Sequence, residues 1–93
     1  MMDTLLGAID AVFAELRCAE EKHPGFPDDP FVAVAVIGEE LGELQRALLQ
    51  LYFEPEKCTS RDDVFKEAVQ TAAMALRFLF HVERYALTPT ESQ

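Results

Sequence analysis

Tryptophan is absent from this chain, glycine occurs 4 times, cysteine twice, and basic residues number only 8 against 17 acidic ones. Each shortage excludes something. Cys18 and Cys58 lie far apart in sequence and cannot build the disulfide framework of a small secreted domain. The scarcity of Lys and Arg, with a formal charge of −9, leaves no cluster to displace phosphate counterions. That argues against partnership with a nucleic acid polymer, and equally against an anionic membrane surface. No window reaches the roughly 18 uninterrupted apolar residues of a membrane-spanning helix. Met1-Met2-Asp3 lacks the basic stretch of a secretory signal. A cytoplasmic protein with both thiols reduced is the expectation.

What is present is apolar side chain, at 49% of residues beside 27% charged, in one domain spanning 1–93 with no internal repeat or dividing linker. A chain this short hides only roughly 60 to 65% of the surface its unfolded form exposes, so a subunit partner that extends the core is expected.

Periodicity divides the chain into three helices. Leu5, Ile9, Val12, Phe13 and Leu16 share one face of a helix from about Asp3 to Glu21. Asp28-Asp29-Pro30 supplies a carboxylate cap and a proline at the first helical position. Val34, Ile37, Leu41, Leu44, Leu48 and Leu51 then step by three and four. A strand over Phe31 to Ile37 competes, since valine suits a pleated sheet, but the same seam runs on through Gly38 into a strongly helical tail. Thr59-Ser60 open the third helix, with Asp62 and Asp63 in its first turn and an end near Tyr85. Its stripes Val64, Ala68, Thr71, Ala75, Leu79, Val82 and Val69, Leu76, Phe80 make an apolar arc too wide for one neighbour. The chain is thus expected to be an all-α bundle of three main helices completed by oligomerisation, with a loose tail from about Thr88.

Three carboxylates sit oddly in the second helix. Glu39, Glu40 and Glu43 share a side that also carries Val32, Val36 and Ala47, so they interrupt an apolar surface. Glu40 and Glu43, one turn apart, can aim at a single point. On the third helix Glu67 and Gln70 are three apart, with Asp63 on the same edge. Antiparallel packing through the short link Tyr52 to Ser60 would bring the two edges together. Carboxylates crowded there would take up protons unless a cation neutralised them, and an all-oxygen set suits Mg²⁺ or Mn²⁺. The plainer alternative is a solvated groove, with Asp62 and Asp63 serving only helix-end electrostatics.

Glu39-Glu40-x-x-Glu43 followed by Glu67-x-x-Gln70 resembles the signature of the MazG-like all-α nucleoside triphosphate pyrophosphohydrolases, of the dimeric dUTPase-like superfamily. That pattern is two adjacent glutamates, a third three residues on, a spacer, then Glu-x-x-Asp. The likeness covers roughly Lys22 to Leu79. It implies a homodimer or homotetramer that cleaves a nucleoside triphosphate to monophosphate and pyrophosphate. Carried over by position, Glu40, Glu43, Glu67 and Gln70 would hold Mg²⁺, and Glu39 would orient or deprotonate the attacking water. Lys22, in Lys22-His23-Pro24-Gly25-Phe26-Pro27, is similar to the family's substrate-facing loop. Gln70 departs from the pattern, because an amide oxygen can ligate but brings no charge. The competing expectation is a non-catalytic helical interaction module, or a nucleotide sensor, with a degenerate metal site.

Overall fold

A computed structural model describes residues 4–88. The expected helix start at Asp3, and the tail from Pro89 onward, lie outside the described residues. Helix α1 runs Leu5–Lys22, α2 Pro30–Phe53 and α3 Arg61–His81, with 3-10 turns at Pro55–Lys57 and Val82–Arg84 and no strand among the described residues.

Each start has a local cause. Thr4 caps α1 by accepting from Gly7 N at 3.0 Å. At α2 the Asp29 carboxylate accepts from Phe31 N at 2.8 Å and Val32 N at 3.4 Å, with Pro30 in the first turn. Once those orphan donors are satisfied the valine run continues as helix, and the strand alternative fails. Ser60 and Asp63 close a reciprocal capping box on α3, which makes the Asp63 carboxylate part of the helix start. The link into α3 is tied back to α2 by Thr59, whose hydroxyl donates to Gln50 Oε1 at 2.9 Å.

Helix α3 ends at His81, four residues before the expected Tyr85. The imidazole Nδ1 donates to the Arg77 carbonyl oxygen at 2.7 Å, and the chain tightens into a 3-10 turn. Tyr85 is thereby turned inward: its hydroxyl donates to Pro27 O at 2.7 Å and its ring stacks on Phe78 at 5.5 Å.

Helix α3 is the shared element, packing against both α1 and α2, whose own backbones do not closely approach each other. The wide apolar arc read from its sequence has this meaning. Ala33 near the start of α2 clusters with Tyr85, Met74 and Phe78 near the end of α3, while Gln50 meets Thr59 at the other end, so α2 and α3 are antiparallel. The buried apolar residues are Ala19, Phe26, Ala33, Ala47, Ala73 and Tyr85; the alanines let helices approach closely but fill little volume. The side of α2 that faces α3 is the one bearing Ala33, Ala47 and Glu40, and the leucine seam is split by it: Ile37, Leu44 and Leu51 are half-buried, while Val34, Leu41 and Leu48 stay exposed. No described helix is long and apolar enough to cross a membrane.

The loop between α1 and α2 is bound to α3 by Arg77, a buried cation. Its Nη2 donates to His23 O at 2.7 Å and Gly25 O at 3.4 Å, and its guanidinium stacks 5.0 Å from the Phe26 ring centre. Glu20 Oε2 lies 2.7 Å from Nε but off the N–H direction, so that contact is Coulombic rather than a hydrogen bond. Gly25 makes the turn at φ +85, a conformation that side chains with a Cβ rarely adopt.

Candidate metal centre

Antiparallel packing sets Glu67 of α3 against Glu40 and Glu43 of α2. One carboxylate oxygen from each lies within 4.8 Å of the other two, and this is the group of three or more potential metal ligands found among the described residues. Glu40 and Glu67 are half-buried and Glu43 is exposed. No Lys or Arg forms an ion pair with any of the three.

The electrostatics follow from that crowding. The Glu40 carboxyl is raised above its ordinary range first by burial, then by the negative charges of Glu43, Glu67, Glu15 and Glu39. Glu67 is likewise raised, first by burial and then by Glu43, whose carboxyl lies close enough to share a proton with it. Glu40 Oε2 and Glu67 Oε1 are buried without a hydrogen-bond partner. Buried acceptors of this kind are costly and rare unless something supplies the missing positive charge. An all-oxygen donor set with orphaned anionic atoms fits a hard dication such as Mg²⁺ or Mn²⁺.

The group lies between two hollows. A cleft of about 420 Å³ is lined by Glu40, Gln70, Lys22, Phe26 and Met74, and a smaller one of about 230 Å³ by Glu43, Glu67, Asp63 and Gln50. Gln70 thus sits half-buried beside Glu40, one turn beyond Glu67, and makes no hydrogen bond of its own. Lys22 stands at the end of α1 on the same cleft, exposed and without an ion-pair partner. Glu39 is exposed, outside the three-carboxylate group, and reaches Glu40 only through its charge. Asp63, the alternative acid on this edge, is committed elsewhere: its Oδ2 accepts from Ser60 N at 2.8 Å and Ser60 Oγ at 3.1 Å, bonds that hold its carboxyl below the usual range.

Two contributors escape a reading of spacing alone. Glu15 of α1 lines the larger cleft and adds charge to Glu40. Arg77 anchors the loop that carries Phe26, and the signal that could have found it is its position as the lone acid or strong base between Glu67 and Glu83.

The raised carboxyls fix a sign for stability against pH. Both groups hold protons more tightly folded than unfolded, so their ionisation opposes folding above the raised values, and the penalty is relieved as pH falls through them toward the ordinary glutamate range. In chelator, urea unfolding should therefore show the Glu40→Gln, Glu67→Gln double variant more stable than the parent at pH 7.5, with the gap closing toward pH 5. A gap independent of pH would refute the crowding.

Compared with known proteins, the chain matches no family model, no curated protein and no solved structure.

Proposed function

We propose that the protein is a metal-dependent nucleoside triphosphate pyrophosphohydrolase of the cytoplasm, acting on a ribo- or deoxyribonucleotide and giving monophosphate and pyrophosphate. The observation that carries this reading is the convergence of Glu40, Glu43 and Glu67 with two buried, unpartnered carboxylate oxygens, beside a cleft of ligand size. Glu40, Glu43 and Glu67 would hold Mg²⁺ or Mn²⁺, with the Gln70 amide oxygen as a neutral fourth donor. A bound dication supplies charge neutralisation for the triphosphate oxygens, which the acidic pocket would otherwise repel.

The chain's own residues divide the remaining work. Glu39, exposed beside the group, orients the attacking water and accepts its proton. Lys22 offers an unpaired ammonium to the anionic substrate across the same cleft. Water adds at the α-phosphorus, and the bond from that phosphorus to the bridging oxygen breaks with pyrophosphate leaving.

One observation favours a second reading. Gln70 brings no charge where an acid would complete the pattern, which suits a nucleotide sensor or a non-catalytic module. Chromatography of a panel of triphosphates with Mg²⁺ or Mn²⁺ separates the two. Monophosphate plus pyrophosphate, absent with Glu43→Gln and increased about tenfold with Gln70→Asp, supports the enzyme; about tenfold is what roughly 1.4 kcal/mol of added electrostatic stabilisation yields. Retained triphosphate under both metals would favour the second reading.

A further inference from the structure

One charged side chain of the larger cleft lies outside the candidate ligand set. Glu15, Cys18, Ala19 and Lys22 recur at steps of three and four on α1 and so present one stripe to the cleft of about 420 Å³. Glu15 is half-buried, and among the described residues no hydrogen bond and no Lys or Arg ion pair holds it. Lys22, the cation on the same stripe, stands about 10 Å further along the axis. Of the charged residues on α1, Glu15 alone acts on Glu40, which puts it at the Glu40 end of the cleft. It is not among the three carboxylates whose oxygens converge within 4.8 Å, so it borders that group without joining it.

A bare carboxylate in that place works against an anionic ligand. It repels phosphate, and stripping water from it is costly unless the ligand brings hydrogen-bond donors. An ionised carboxyl only accepts, and its two oxygens can take two donors side by side. In a nucleotide whose α-phosphate meets the metal at Glu40, the pentose is the next group along, ahead of the base. A ribose presents two neighbouring hydroxyls, both donors, and a 2′-deoxyribose only one. The cleft wall from Val36, Phe26 and Met74 is apolar and suits the flat base rather than the sugar.

We propose that Glu15 accepts from the 2′- and 3′-hydroxyls of the substrate sugar and so selects ribonucleoside over 2′-deoxyribonucleoside triphosphates. The inference rests on the pyrophosphohydrolase reading of the same site and narrows its substrate class. A deoxy substrate leaves one carboxylate oxygen desolvated and unpaired. A site built to bond a hydroxyl rejects the analogue lacking it more strongly than an apolar pocket rejects a change of size. Because Glu15 is half-buried, water partly replaces the lost hydroxyl. The discrimination is then that of one hydrogen bond to a charged group, about tenfold or more.

Calorimetric titration with Mg²⁺ and the α,β-methylene triphosphates of each base, in ribo and 2′-deoxy form, tests this without turnover, since the methylene bridge blocks the bond that would break. The ribo form of a given base should bind at least about tenfold more tightly than its deoxy counterpart. Glu15→Gln removes a repelling charge beside Glu40 and should fold; it should bring the two sugars within about threefold by weakening the ribo form. Ribo forms should also slow alkylation of Cys18, the thiol on the same stripe, more than that of Cys58, which is exposed outside the cleft. Equal affinities, a preference that survives Glu15→Gln, or a variant that loses discrimination between bases instead of sugars, overturns the proposal. If the variant does not fold, the parent's sugar ratio and the protection of Cys18 decide together. Hydrolysis of natural triphosphates without regard to sugar would sink this inference and leave the enzyme standing; selective binding without hydrolysis would do the reverse. Binding of neither form overturns both.

Discussion

Millimolar Mg²⁺ or Mn²⁺ should raise the unfolding midpoint by about 10 to 20 °C once the ion is a hundredfold above its dissociation constant, and Glu43→Gln should abolish the rise. The size follows from linkage. A ligand held only by the folded state adds about 2.7 kcal/mol at that ratio, and a domain of this length gains about 4 to 8 °C per kcal/mol. Glu43 is the informative position because it is the exposed member of the three and the group pressing hardest on Glu67 after burial. In chelator the same substitution should leave the protein as stable as the parent or more so, since it removes a repelling charge. A variant that is weaker in chelator and still responds to the ion would place Glu43 outside the ligand set. Scanning calorimetry at fixed protein concentration reads both arms.

Arg77→Met should cost about 3 kcal/mol in urea unfolding. The guanidinium makes charge-assisted bonds to the His23 and Gly25 carbonyls, the shorter 2.7 Å, and stacks on Phe26. Such bonds contribute about 1.5 to 3 kcal/mol, and the ring contact about 0.5 to 1 kcal/mol more. Glu20 contributes little: its side chain is 49% exposed, so solvent screens the pair and Glu20→Gln should cost less than about 1 kcal/mol. Arg77→Lys should fall between, because a single ammonium cannot serve the carbonyls and the ring with one planar fork. Equal losses for Glu20→Gln and Arg77→Met would show that the ion pair, not the loop anchorage, sets the cost.

The helix starts were legible because their causes are local. Asp29-Pro30 and Ser60 with Asp63 satisfy the first free backbone donors wherever the helix later packs. The end of α3 was not, because it depends on Tyr85 reaching Pro27 from 58 positions away. The inward side of α2 was ambiguous for a related reason. Periodicity reveals two apolar sides, but only the tertiary partner decides which is used, and alanines at Ala33 and Ala47 gave the carboxylate side the closer approach. Of the candidate site, spacing brought Glu40, Glu43 and Glu67 to one place, whereas Glu15 and Arg77 belong to it through contacts between elements that no single-helix pattern encodes.

The mediating position of α3 also bears on how the chain is made. A ribosome releases α1 and α2 before α3, yet the backbones of the first two do not closely approach each other and both pack on α3. Both must wait, largely unstructured, until the last helix emerges, since isolated helices of this length are marginal in water. Folding is then a single late event, in which α3 collects its two neighbours. During that wait the apolar side of α2 is exposed to chaperones or to neighbouring nascent chains.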